Sequence, residues 1–195
     1  MSTLSDLKIA VLYGSYRHHR QGIRAAQFAV NRLANRCKAF LIDAKSYSVP
    51  MLDKMFKEYP AGSAPQNLQK ISDHLMEADG FVICTGEYNH SLPPGLKNLL
   101  DHFQKEYFFK PAGIMSYSMG GFGGARASVH ARVVVGELGM ASISRMMQVS
   151  HVHDAIDESG RPWDDKIGPR FDKFSDELLW YASALKEARQ ERTPY

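Results

Sequence analysis

Short apolar runs without polar alternation recur along this chain, and a segment with helical spacing follows each of them. The first run is Lys8-Ile9-Ala10-Val11-Leu12-Tyr13, ended by Gly14. A strand with one wet face alternates apolar and polar residues. An unbroken run instead suits a strand covered on both faces, as in a parallel sheet.

The segment that follows places Ile23, Ala26, Val30 and Leu33 on one helical face. A second apolar run covers residues 37–42 and ends at Asp43. Residues 44–65 carry three prolines and little periodicity, which reads as a long loop. Leu68, Ile71, Leu75 and Ala78 mark the next helix, and Gly80 opens a third strand over residues 81–85. A turn at residues 87–93 leads into a helix with Leu96, Leu99, Leu100 and Phe103 on one side. Residues 111–118 read as a fourth strand and residues 120–124 as a glycine loop. A helix over residues 125–138 and a weak fifth strand over 141–149 come next. The last helix shows Phe171, Phe174, Leu178, Tyr181 and Leu185 at helical spacing.

Strands alternating with helices predict an α/β fold with helices on both faces of a parallel sheet. Five strands in this order suit the flavodoxin-like three-layer sandwich, sheet order 2-1-3-4-5. With 195 residues the chain is expected to form a single domain over 1–195. In such sheets a ligand sits outside the carboxyl ends of the strands, near the switch in strand order. The segments after strands one, three and four are therefore the places to search.

Composition narrows the function classes. No apolar run approaches the ~18 residues of a membrane span, and the first residues lack the layout of a secretory signal. The expected location is cytoplasmic, with no membrane partner. The net charge is only +3, and the basic residues cluster at Arg17, His18, His19, Arg20 and Arg24. That cluster is too local for a nucleic-acid footprint and suits one compact anion such as a phosphate. Cys37 and Cys84 read as buried thiols in strands, and no metal site is expected.

The first loop is Gly14-Ser15-Tyr16-Arg17-His18-His19-Arg20-Gln21-Gly22. A helix start offers unpaired N–H groups to an anion, and guanidinium forks suit phosphate oxygens. Neither a G-x-G-x-x-G fingerprint nor a Walker A sequence is present. Simple capping with solvated basic side chains is the plain alternative.

The second loop, residues 85–95, offers Tyr88 as a surface for a flat ring. Backbone groups from Glu87 to His90 can meet its heteroatoms. The third, residues 116–124, carries four glycines that allow close backbone approach. The pairs His74 and Glu77, and Lys97 and Asp101, read as solvated helix neighbours. His151, His153 and Asp154 fall in an expected surface loop, and no G-x-S-x-G elbow is present.

At these loops the sequence resembles the NAD(P)H-dependent FMN reductase family, which includes quinone, azo-dye and chromate reductases. The resemblance runs from about Lys8 to Met140. Three motifs carry it: Gly14-Ser15-x-Arg17-x-x-Arg20-x-Gly22; Glu87-Tyr88-Asn89 with Ser91-x-Pro93 and Leu96-Lys97-Asn98; and Ser116-x-Ser118-Met119-Gly120-x-x-Gly123-Gly124-Ala125-Arg126. The resemblance implies that Ser15, Arg17, Arg20, Gln21 and Gly22 hold the FMN phosphate. It implies that Glu87, Tyr88 and Asn89 contact the isoalloxazine or ribityl portion, with Ser116 or Ser118 completing the pocket. The family commonly has proline before Glu-Tyr-Asn, where this chain has Gly86.

The implied activity is two-step hydride exchange from NADPH or NADH through FMN to quinones, azo compounds, free flavin or metal oxyanions. No side chain is required as an acid or base, because the flavin carries the chemistry. A homodimer or homotetramer is implied, and the aromatic group Phe103, Tyr107, Phe108 and Phe109 offers either a contact surface or additional core. Two other readings stay open: a flavodoxin-type electron carrier, and a structural or regulatory protein without flavin. The paired arginines and the basic balance stand against the carrier.

Overall fold

The computed structural model describes residues 4–195. Five strands form one sheet in the order β2-β1-β3-β4-β5: β1 Lys8–Tyr13, β2 Lys38–Asp43, β3 Gly80–Thr85, β4 Pro111–Tyr117 and β5 Ala141–Val149. Every neighbouring pair is parallel. The helices are α1 Ile23–Leu33, α2 Gln66–Glu77, α3 Pro94–Asp101, α4 Ala125–Glu137, α5 Val152–Ala155 and α6 Ile167–Glu191. Both the expected sheet order and the helical covering of its two faces are present.

The unbroken apolar runs follow from two cores that share one sheet. Ile9, Val11 and Tyr13 point into a cluster completed by α1, α5 and α6, with Phe28, Phe171 and Phe174 among its largest rings. Ala10 and Leu12 point the opposite way, into a cluster completed by α2, α3 and α4. β3 and β4 alternate in the same manner: Val82, Cys84, Met115 and Tyr117 face one cluster, and Phe81, Ile83, Ala112 and Ile114 the other. Each successive side chain is thus buried, so no polar alternation is needed.

β5 is an edge strand, as β2 is, and it reads weakly because Ser142, Ser144, Arg145 and Gln148 interrupt its apolar run. Its residues are partly exposed, and the register against β4 shifts between Ala112 and Ile114. The long connection after β2 holds a short 3-10 turn, Phe56–Glu58. Among the described residues no helix is long and apolar enough to cross a membrane.

Some local readings are corrected. Residues 151–155, read as a loop, include the short helix α5, whose Val152 is fully buried. Cys37 sits just before β2 rather than in it. His74 does not pair with Glu77. Its ring packs against Phe40 and Tyr47, while Glu77 bonds Lys8 across to β1. The aromatic group divides: Phe103 and Tyr107 are core, whereas Phe108 meets Tyr195 edge-on and Phe109 packs on it at a tilt.

Candidate functional site

A cleft of about 490 Å³ opens where β1, β3 and β4 end, and residues of all three expected loops line it. The first loop turns from β1 into α1 and contributes Ser15, Arg17, His19, Arg20, Gln21 and Gly22. Its base is fixed by Tyr16, whose hydroxyl donates to the carbonyls of Ala44 at 2.8 Å and Val49 at 2.9 Å. Among the described residues, the backbone N–H groups from Arg17 to Gly22 have no protein partner, and Arg17 has no ion pair. The carbonyl oxygen of the Gln21 side chain is buried without a hydrogen bond. Unpaired donors beside a helix start form an anion site.

Arg20 is placed differently from Arg17. It bonds the buried Asp43 carboxylate at 2.6 Å and the Ser15 carbonyl at 3.3 Å, and its guanidinium lies 5.5 Å from the centre of the Tyr13 ring. Asp43 also accepts from the Lys45 backbone and the Ser46 hydroxyl. Arg20 therefore stiffens the loop as well as lining the cleft.

The second loop is a tight hairpin. Tyr88 and Ser91 exchange backbone hydrogen bonds of 2.9 and 3.0 Å around Asn89 and His90, which have φ of 49° and 68°. Two positive φ values in a row match the mirror-image turn of two-residue hairpins. Tyr88 faces the cleft, and its hydroxyl lies 3.0 Å from the Ser15 hydroxyl, which ties the first loop to the second. Asn89 sits at the hairpin tip and does not line the cleft.

Glu87 contributes to the cleft wall, but its carboxylate turns toward α4. It accepts from the N–H groups of Arg126 and Ala127 and from the Arg126 guanidinium. Burial alone raises the Glu87 carboxyl; the hydrogen bonds from Ala127 and Arg126 and the guanidinium charge prevail and hold it below the usual carboxylate range.

The third loop supplies Tyr117, Ser118, Met119 and Gly120. Ser118 donates its hydroxyl to the Gly120 carbonyl at 2.7 Å, and its carbonyl accepts from Val152 of α5. Ser116 is fully buried and donates to the Gly123 carbonyl at 2.7 Å, so it shapes the loop from beneath. Gly123 and Gly124 have φ of 60° and 76°, a left-handed turn that leads into α4. Phe122 is exposed, with the Arg126 guanidinium 4.9 Å from its ring centre.

The arrangement places an anion cradle and the aromatic side chains of Tyr88 and Tyr117 on one cleft, the pattern needed by a phosphorylated ring compound. The profile of the NADPH-dependent FMN reductase family matches residues 7–154. The chain belongs to that family. It is an oxidoreductase that works with FMN and NAD(P)H.

An NAD(P)H-dependent FMN reductase of Pseudomonas aeruginosa is 28% identical over 166 residues, which span 83% of this chain and 87% of that one. A 2-hydroxy-1,4-benzoquinone reductase of a Burkholderia species is 27% identical over 189 residues, covering 94% and 98%. FerB, a flavoenzyme NAD(P)H:(acceptor) oxidoreductase from Paracoccus denitrificans, superposes with a TM-score of 0.75 at 21% identity, over 91% of this chain and 98% of that one. That likeness carries the fold.

Five residues that line the cleft had no site role assigned from the sequence: His19, Gly86, Tyr117, Met119 and Gly120. His19 lies inside a motif whose arginines drew the attention. Tyr117 ends a strand that reads as core. The two cysteines take no part: both are free and buried, and burial pushes the Cys37 thiol up to about 11 and the Cys84 thiol further. Among the described residues no three His, Cys, Asp or Glu side chains are grouped to hold a metal ion.

Proposed function

We propose that this cleft holds FMN, with the phosphate on the first loop, and that the chain passes electrons from NADPH or NADH to quinones, azo compounds, free flavin or metal oxyanions in two successive half-reactions. The observation that carries the reading is the run of unpaired backbone N–H groups from Arg17 to Gly22, on the same cleft as Tyr88 and Tyr117. Bound here, FMN would supply two-electron redox chemistry between the reduced nicotinamide and the second substrate.

The chain's own residues bind and orient. The N–H groups of the first loop and the Ser15 hydroxyl would hydrogen-bond the phosphate, and Arg17 would neutralise it. The buried, unpartnered Gln21 oxygen would be free to accept a hydrogen bond from a hydroxyl of the bound cofactor. Tyr88 and the backbone of the second loop flank the ring, and the third loop closes the far wall. No side chain of the cleft is assigned an acid or base role.

The whole chain is proposed to act as one FMN-binding domain that self-associates. Val129 and Val133 are exposed on α4 beside an apolar hollow lined by Leu92 and Val134, a surface suited to a second copy. Size-exclusion chromatography with light scattering tests this part; a monomer at micromolar concentration contradicts it.

The central test is a visible spectrum of purified protein after FMN addition and desalting, repeated after anaerobic NADPH and NADH. The expected result is a retained flavin band that either nucleotide bleaches alone. A retained band that neither bleaches overturns the enzymatic reading, and loss of the band overturns the FMN site.

A further inference from the structure

Gly22 and Gly86 frame the cleft, and neither backbone requires glycine. Gly22 has φ of −66°, and Gly86 is not among the residues with positive φ. What both share is one neighbour. A Cβ on Gly22 would overlap the Tyr117 ring at Cζ, and a Cβ on Gly86 would lie 3.0 Å from the Tyr117 hydroxyl oxygen. The first is impossible for real atoms. The second is tighter than ordinary packing, and Gly22 on the other side leaves the ring no room to retreat.

Tyr117 is the last residue of β4, only 7% exposed, and its ring lies between the start of α1 and the second loop. The Tyr13 ring stands behind it at 6.3 Å. Position 86 is also where the family resemblance calls for proline. A proline there would bring three ring carbons toward the space that the Tyr117 hydroxyl fills.

We infer that Gly86 and Tyr117 are an exchanged pair: the tyrosine ring occupies the volume that a side chain at position 86 would take, and as a positioning residue it forms the floor on which the ribityl and phosphate portion of FMN rests. The inference depends on the cleft being the FMN site. Its consequence is that neither residue sets FMN affinity alone. Proline at position 86 beside Tyr117 pushes the second loop outward. Tyr88 moves with that loop, and the 3.0 Å link to Ser15 opens.

The test is a double-mutant cycle on the full chain, read as FMN affinity from quenching of free FMN fluorescence. The variants are Gly86→Pro, Tyr117→Ala and the two combined, with Tyr117→Phe as the ring-conserving control. Gly86→Pro is expected to weaken FMN binding roughly tenfold beside Tyr117 and less than about twofold in the Tyr117→Ala background. Tyr117→Phe is expected to stay within about twofold of the parent, whereas Tyr117→Ala weakens binding more.

An equal loss from Gly86→Pro in both backgrounds overturns the pairing, and so does a Tyr117→Phe loss as large as that of Tyr117→Ala. If the parent protein binds no FMN, the reading of the cleft fails while the pairing is still measured, from thermal midpoints of the apoprotein. There, Gly86→Pro must lower the midpoint only when Tyr117 is present, and equal lowering in both backgrounds overturns the pair.

Discussion

The Glu87 carboxylate accepts hydrogen bonds from the Arg126 N–H at 3.0 Å, from the Arg126 Nε at 2.8 Å and from the Ala127 N–H at 3.3 Å. α4 begins after Gly124, which has no side chain to cap it. Glu87 provides the cap from a different strand end, and in doing so it joins the second loop to the third. The hydroxyl contact of Ser15 and Tyr88 joins the first loop to the second in the same way.

Glu87→Gln is therefore expected to cost about 2 kcal/mol of stability at pH 7 and to weaken FMN binding, measured by urea unfolding and by fluorescence titration. The folded-state pKa is held down, so the contribution of Glu87 is complete above its unfolded value of 4.5 and is lost as the pH falls through the folded value. The stability gap between parent and variant should close in acid. A gap that stays constant down to about pH 3 would contradict the charge-based cap.

Arg17 and Arg20 should separate on substitution. Arg17 has no ion pair among the described residues, so Arg17→Ala is expected to weaken FMN retention roughly tenfold with no change in stability or in turnover per bound flavin. Arg20→Ala also strands the Asp43 carboxylate, which is 3% exposed. It should lower stability by about 3 kcal/mol in the absence of FMN. Unfolding midpoints of both apoproteins, beside FMN titrations, check the contrast.

Lys110 is buried, and its ammonium donates to the carbonyls of Leu75 and Met76 at the end of α2 at 2.7 and 3.0 Å. Burial, with the nearby Arg189 charge, lowers its pKa from 10.5 to about 8. The unfolded chain binds this proton more tightly, so the contribution rises with pH between 8 and 10.5, by about 3 kcal/mol in all. Buried Tyr13, Tyr107 and Tyr117 have raised values, so unfolded-state ionisation of their phenols lowers stability above about pH 10, and the clean window is pH 8 to 10. Across it, parent stability should gain relative to Lys110→Met. Parallel pH profiles for the two proteins would refute the assignment.

At the opposite end of the sheet, Asp79 accepts from the Lys8 backbone at 3.0 Å, from Lys186 at 2.9 Å and from Arg189 at 3.4 Å, so it anchors α6. Asp79→Ala should cost about 3 kcal/mol and leave FMN affinity of the folded protein unchanged, because the cleft lies at the other strand ends. Chemical denaturation and flavin titration on one preparation decide it; a matched loss of affinity would mean that this end communicates with the cleft.

Much of the fold was legible because burial on both faces writes itself directly into local sequence. Ile9 and Ala10 face opposite cores, so β1 reads as an unbroken apolar run. The edge strand β5 read weakly because its residues are partly exposed. The four-residue α5 left no readable period at all, since one helical turn is shorter than any amphipathic pattern.

The three loops were legible as loops at the right strand ends, and the structure brings them to one cleft. The direction of individual side chains was not. Glu87 points to α4, Ser116 points under the glycine loop, and Arg20 points to Asp43, across sequence separations of 39, 7 and 23 residues. Motif spacing says that a charged or hydroxyl group is present; it does not say which distant partner satisfies it.

By itself, the sequence determined the order of strands and helices, the parallel sheet they build and the family to which the chain belongs, because each depends on periodicity or on contiguous motifs. Tertiary structure alone decided that Tyr117 enters between Gly22 and Gly86, that Arg20 is committed to a buried carboxylate while Arg17 has no ion pair among the described residues, and that Phe103 and Tyr107 are core. Those outcomes depend on excluded volume and charge between segments far apart in the chain, and such contacts exist only once the sheet has brought the strand ends together.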